Sequence, residues 1–206
     1  MMGPKEKKER ALGEHLQLKA HRCASPKCAL VRKPYRPGMH GPSKKRPRAL
    51  SEFGLQLKEK QKFKISYGLD ERNLRALFEE ARQARGSTAQ KILELLERRL
   101  DNVLFRAGIA QSRIMGRQML VHGHITVHGK IVRSPGFLVR AGDVIAVKDA
   151  SNSREPFRHL RDSQWQYEVP AWISLDREKL EAKVLSIPQD IEPPFEVKLL
   201  VEAFSK

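Results

Sequence analysis

A change of hydrophobic period inside one stretch, Leu95 to Asp149, constrains this chain more than any other feature. Up to Gly123 the apolar residues recur at helical spacing, and beyond it they alternate in the manner of half-buried strands. Ser112 is placed to cap a short helix, SRIMGRQMLVHG, that stops at Gly123. Arg113 and Arg117 lie four apart and share one face of it, while Ile114, Leu120 and Val121 are expected to pack inward. After the glycine, Ile125 and Val127 point one way, His128-Gly129 makes a turn and Ile131 returns. GFLVRAGDVIAV supplies two more short strands around Ala141-Gly142-Asp143. The expected unit is a small antiparallel sheet packed against two helices.

Upstream the signals are helical. Ser51 caps a helix that runs to Gly68, and Asp70 caps a second in which Leu74, Leu77, Phe78 and Ala81 fall at i, i+3, i+4 and i+7. Ser87 and Gln90 open a third with a capping-box pattern, and Ile92, Leu95, Leu96, Val103 and Leu104 form its buried stripe before Gly108. Asp70 and Glu71 occupy a first helical turn, where the dipole favours negative charge, so they read as structural. Before Ser51, prolines at 26, 34, 37, 42 and 47 exclude a continuous helix and leave an extended basic loop. The first 22 residues offer little to bury beyond Leu12, Leu16 and Leu18, and are expected to order only against a partner. After Ala150 one short helix and several extended segments are expected, with Val197 to Val201 reading as a strand.

The formal net charge of +16 points to a polyanionic partner. No stretch approaches the roughly 18 uncharged residues of a membrane-spanning helix, so nucleic acid is preferred over a membrane. The amino terminus, MMGPKEKKERALGEH, lacks the apolar run of a secretory signal, and a cytoplasmic address is expected. Two cysteines are too few for a disulfide framework. Neither a nucleophile-base arrangement nor a phosphate-cradling loop stands out, so no enzymatic activity is expected. RNA contacts are expected from Arg113, Arg117 and Gln118 on the short helix and from His122, His124 and Lys130 about the pivot, as one basic edge for phosphates and sugars. His122 and His124 read equally as satisfied turn residues, and Arg99 either meets RNA or pairs with carboxylates on the side of Asp101. In the proline-rich loop, Tyr35, Arg36 and His40 suit stacking and phosphate contact.

A pattern spread over Leu100, Asp101, Arg113, Arg117, Gln118, Leu120, His122, Gly123, His124, Ile125, Val127, Gly129, Pro135, Gly142, Asp143 and Ile145 resembles the RNA-binding domain named for small-subunit ribosomal protein S four. The flanks RKPYRPGMHG, LSEFGLQLKEKQKFKISYG, LFEEA, PAWISLD and LLVEAFSK resemble the bacterial-type ribosomal protein family, over nearly the whole chain. The resemblance implies an α+β fold, a mainly helical domain with an inserted small RNA-binding domain. Residues 1–50 would be a basic, proline-rich extension, 51–96 the helical domain completed by 151–206, and 97–150 the inserted domain. It also implies binding of small-subunit rRNA, an early role in assembly, neighbouring small-subunit ribosomal proteins, and mRNA near the mouth of its channel. Lys58 and Lys62 join the rRNA-binding set on this reading, and Lys44, Lys45, Arg46 and Arg48 match the cluster that faces incoming mRNA. The alternative is an RNA-targeting protein outside the ribosome, either a pseudouridine-synthase-like enzyme or a stress factor, though no separate catalytic domain is recognisable here.

Many bacterial members of that family hold zinc with four thiolates, an upstream CxxC and a downstream pair. Cys23 and Cys28 match the downstream pair, whereas the upstream positions fall near Glu6 and Glu9. His15 and His21 are the substitutes at hand; with half the site missing, no cofactor is expected. His128 stands where the family commonly has asparagine, at a turn position whose positive φ histidine reaches less readily.

Overall fold

A computed structural model of the chain describes residues 4–39, 41, 49–148, 151, 157, 168–189, 191 and 195–205. The expected contacts His40, Lys44, Lys45, Arg46 and Arg48 lie outside the described residues, as do the side chain of His21 and most of the helix expected after Ala150. Helices α1 (Lys5–Leu12), α2 (Ala20–Cys23), α3 (Ala29–Arg32), α4 (Glu52–Ser66), α5 (Glu71–Gln83), α6 (Thr88–Glu97), α7 (Leu100–Arg106) and α8 (Arg113–Val121) come first. Strands β1 (Ile125–Val127), β2 (Lys130–Ile131), β3 (Val144–Val147), β4 (Ile173–Asp176) and β5 (Glu181–Val184) follow, and helix α9 (Val197–Ser205) closes the order. The chain divides into two compact units, residues 1–92 with 192–206, and residues 93–191.

In the first unit the expected caps form. Ser51 Oγ accepts from the Gly54 amide, and Asp70 accepts from the Asn73 amide. The stripe of α5 buries Leu74, Phe78 and Ala81. Val197 to Val201 is helical rather than extended, and Val197, Leu200, Val201 and, a turn further on, Phe204 fall at i, i+3, i+4 and i+7 on one face. That face seats α9 on α4 and α5: Phe204 stacks on Phe78 at 4.9 Å, and Gln56 donates to Glu202 at 3.1 Å. The amino-terminal segment is folded in this structure, not merely a candidate for ordering against a partner. Glu9, buried at 2 % exposure, accepts from the amides of Leu16 and Leu18 and ties the loop after α1 back onto the helix.

The second unit holds a five-stranded antiparallel sheet in the order β2-β1-β3-β5-β4. β1 and β2 are joined through His128, which adopts φ of 48° ahead of Gly129 at 76°, so the histidine does take the left-handed conformation. Two boundaries differ from the sequence reading. β4 and β5 extend the sheet through the β3–β5 pairing Ile145↔Ala182, so residues 168–189 belong with the inserted unit and do not complete the helical domain. Their apolar residues Ile173, Leu180, Ala182 and Val184 share one core with Leu104, Leu120, Ile125 and Ile145, and covering that face is what holds them there. Of the two strands expected in GFLVRAGDVIAV only β3 forms, and Leu138 makes a single bridge with Arg99.

That bridge also explains why the third helix is broken in two. Arg99 is extended (ψ 134°), and the loop after β2 supplies the start of α7: the amides of Leu100 and Asp101 donate to the carbonyls of Phe137 and Pro135, while Val139 donates back to Arg98. The apolar stripe continues across the break: Ile92, Leu95 and Leu96 before it and Leu100, Val103 and Leu104 after it are all buried. Periodicity therefore reports the stripe but not the interruption.

Candidate nucleic-acid interface

The interface is built on α7 and α8. Ser112 Oγ accepts from the Met115 amide and starts α8, and Gly123 at φ 72° ends it, with the His124 amide bonded to the Met119 carbonyl. The helices approach closely at Gly116, where an added Cβ would lie 2.8 Å from the Asp101 carbonyl oxygen and 3.4 Å from the Leu104 and Ala110 Cβ atoms. The inward residues of α8 are Gly116, Met119 and Leu120; Val121 is exposed and Ile114 only half-buried, so the buried face is rotated from the expected one.

Beneath the arginines lie two buried carboxylates. Glu97 accepts from Arg106 Nε at 2.7 Å and Nη2 at 3.1 Å, and from Asn102 Nδ2 at 2.9 Å. Asn102, fully buried, accepts in turn from Arg113 Nε at 2.7 Å, and the Arg113 guanidinium lies 4.7 Å over the Phe105 ring. Burial alone would raise the Glu97 carboxyl; the Arg106 hydrogen bonds and the charges of Arg106 and Arg113 outweigh it and hold the group below the ordinary glutamate value. Asp101 is forked by Arg99 at 2.8 and 3.2 Å. There burial prevails and pushes the carboxyl up against the pull of Arg99 and Arg117. Arg113 Nη2 is 4.0 Å from Glu97, and Arg117 Nη1 is 3.9 Å from Asp101.

The expected contacts thus separate into groups. Arg117, Gln118, His122 and Lys130 are exposed on α8, at its end and on β2, while Arg113 is partly covered and built into the Glu97 network. Arg99 is 6 % exposed and paired with Asp101; of its two expected roles, the structure selects the ion pair, because the α6–α7 break turns its side chain inward. His124 is half-buried, its Nδ1 3.0 Å from Ser151 Oγ and its ring edge-on to Phe157 at 5.6 Å, which is the satisfied-turn role. Arg133, which sequence reading left out, is exposed with its Nε 3.2 Å from where a Gly123 Cβ would stand, so it lies against the pivot beside His122. A basic residue just past the strand returning to the pivot was the available signal. For Asn102 and Glu97 the signal was a polar residue within or at the head of an apolar stripe.

In the first unit, Lys62 is 7 % exposed and bridges Glu14 and Glu59, so it is a buried ion-pair residue and not an open phosphate contact. Burial would lower its ammonium, but the two carboxylates reverse that and raise it above the ordinary lysine value. Lys58 pairs with Glu14 at 3.0 Å. Tyr35 and Arg36 are exposed, with the Arg10 guanidinium 5.0 Å over the Tyr35 ring.

The residues present do not fit a four-thiolate zinc site. Glu6 is paired with Lys19 and Arg22, and Glu9 Oε1 is engaged with the Leu16 and Leu18 amides. Cys23 Sγ is 3.7 Å from Glu9, and Cys28 Sγ is 3.8 Å from His15 Nδ1. Burial raises the Cys23 thiol, which disfavours the thiolate a metal takes. Among the described residues no group of three or more His, Cys, Asp and Glu side chains could hold a metal ion. No helix among them is long and apolar enough to cross a membrane.

Two helices on a short antiparallel sheet, with arginines on the second helix, define an RNA-binding S4 domain: the family model described as "S4 domain" matches residues 98–145, and "Ribosomal protein S4/S9 N-terminal domain" matches residues 1–97. The chain is 45 % identical over 196 residues to the small ribosomal subunit protein uS4 of Acetivibrio thermocellus, covering 94 % of this chain and 93 % of that one. It is 44 % identical over 206 residues to uS4 of Thermoanaerobacter pseudethanolicus (99 % and 98 % covered) and 42 % identical over 207 residues to uS4 of Caldicellulosiruptor saccharolyticus (100 % and 98 %). The chain belongs to the uS4 family of small ribosomal subunit proteins.

Proposed function

We propose that the protein is a structural constituent of the small ribosomal subunit and binds its rRNA directly through the S4 domain. The observation that carries this reading is the exposed basic run from Arg117 through His122 and Lys130 to Arg133, along α8, its end, β2 and the residues just beyond, beside two buried carboxylates of α6 and α7 that are already matched by Arg106 and Arg99. Cations held at fixed spacing on rigid elements suit the phosphates of folded RNA, read by shape more than by sequence. Tyr35 and Arg36, exposed in the first unit, are candidates for RNA contact there.

Early assembly, contact with neighbouring small-subunit proteins, and a position near the mouth of the mRNA channel, faced by Lys44, Lys45, Arg46 and Arg48, are finer parts of the same proposal. The protein acts without catalysis, consistent with relatives named as ribosomal proteins. It acts without zinc, a reading supported by Glu9 bonding two loop amides where an upstream thiolate would stand. Co-sedimentation tests the central claim: the protein stays with small subunits through a high-salt cushion. Recovery only from the free pool would overturn it.

A further inference from the structure

Glu97 and Asp101 are four residues apart on the α6–α7 side of the helix pair, and Arg113 and Arg117 are four apart on α8. The two spacings face each other as rungs, Glu97 to Arg113 at 4.0 Å and Asp101 to Arg117 at 3.9 Å. Each carboxylate is almost wholly buried, with side-chain exposure of 2 % and 4 %, and each is anchored from beneath by a second arginine, Arg106 or Arg99. Gly116 lies between the two α8 arginines in sequence and allows the close approach that closes both rungs. Asn102 adds a cross-brace, donating to Glu97 and accepting from Arg113.

We infer that Glu97 and Asp101 are positioning residues for RNA recognition, a buried acidic pair that holds the guanidinium groups of Arg113 and Arg117 in register for phosphates of folded rRNA. This rests on the rRNA-binding reading above and deepens it. Two long, flexible side chains ordinarily lose rotamer freedom when they dock. A buried counter-charge under each one removes part of that loss before RNA arrives, and fixes where each guanidinium is presented. Affinity for the correctly shaped RNA then exceeds what the same cations give on an arbitrary duplex. The number of phosphates neutralised is unaffected by the acids, so the salt slope stays constant while the preference changes.

The experiment is a double-mutant cycle on the full chain, with Asp101→Asn and Arg117→Gln singly and together. Binding is measured to small-subunit rRNA and, as competitor, to large-subunit rRNA. Asp101→Asn is expected to weaken small-subunit rRNA binding about 10-fold, with less than about 2-fold change on the competitor and an unaltered salt slope. In the Arg117→Gln background the same substitution is expected to have little further effect. Additive losses in the cycle, or equal losses on both RNAs, overturn the inference. Should Asp101→Asn not fold, Arg117→Lys decides: it keeps the charge, exchanges the planar fork for a point charge, and is expected to lose the preference. Binding by Arg117→Lys indistinguishable from the unmodified protein would refute it. Loss of any preference for small-subunit rRNA in the unmodified protein would instead overturn the functional reading.

Discussion

Replacing Glu9 tests how the amino-terminal arm is held. Its Oε1 accepts from the amides of Leu16 at 3.2 Å and Leu18 at 3.1 Å, and all three residues are buried. Glu9→Ala strands both amides without an acceptor, at about 1–3 kcal/mol each, so the arm is expected to lose about 2–6 kcal/mol of local stability. Glu9→Gln differs in a defined way. Because both bonds go to the same oxygen, the glutamine carbonyl keeps them; what is lost is the charge assistance, at about 1 kcal/mol, and the weak contact of the Cys23 thiol with the second oxygen, which becomes an amide nitrogen. Hydrogen exchange read on peptides spanning residues 13–24 separates the two: protection is expected to collapse in the alanine variant and to persist, somewhat reduced, in the glutamine variant. A chelator is expected to leave the unmodified protein's exchange unchanged, since the carboxylate performs the cross-linking that a metal performs in a thiolate site. Glutamine as damaging as alanine, or faster exchange on chelation, would refute the reasoning.

Other outcomes follow from the same geometry. Glu97 and Glu14 have folded values held below the ordinary glutamate value, so their contribution to stability is full above roughly pH 4.3 and is lost as pH falls through the folded values; the midpoint of acid unfolding is expected to rise in Glu97→Gln. Lys62, raised, acts at the opposite end: its contribution is present below the unfolded lysine value and is lost as pH rises through the folded one. Gly116→Ala is expected to cost about 1–3 kcal/mol in urea unfolding, because its Cβ would meet the Asp101 carbonyl at 2.8 Å and α8 must move away from α7. Leu104→Ala, at a fully buried site in the sheet-facing core, is expected to cost about 2–5 kcal/mol. RNA affinity is expected to fall steeply as salt rises from 50 to 200 mM, by about 10³-fold or more if six phosphates are contacted, and a flat response in filter binding would count against a backbone-led footprint.

Local chemistry was legible where the cause is local. Ser51, Asp70 and Ser112 cap the helices they were expected to cap, since a side-chain oxygen three residues before a bare amide needs no tertiary context. The stop at Gly123 and the His128-Gly129 turn follow from backbone conformation alone, whereas the alternation expected of β1 is absent from its burial, since Thr126 is covered together with Ile125 and Val127. The spread pattern from Leu100 to Ile145 likewise marked the S4 domain. Tertiary structure decided whatever depends on which surface needs covering. The apolar residues of β4 and β5 lie as easily in a helical domain's flank as in a sheet, until the open edge of β3 and the core around Leu104 claim them. Val197 to Val201 is too short for its period to distinguish strand from helix, and the face offered by α4 and α5 made it helical. Lys62 looked like a surface cation because charge is visible in a sequence and burial is not, and only the fold brought Glu14 and Glu59 within bonding distance of it; for Arg99, whose pairing beside Asp101 was one of two expected roles, only the fold chose between them. The rungs joining Glu97 to Arg113 and Asp101 to Arg117 are spaced by the sequence on each helix, but only the close approach at Gly116 set them face to face.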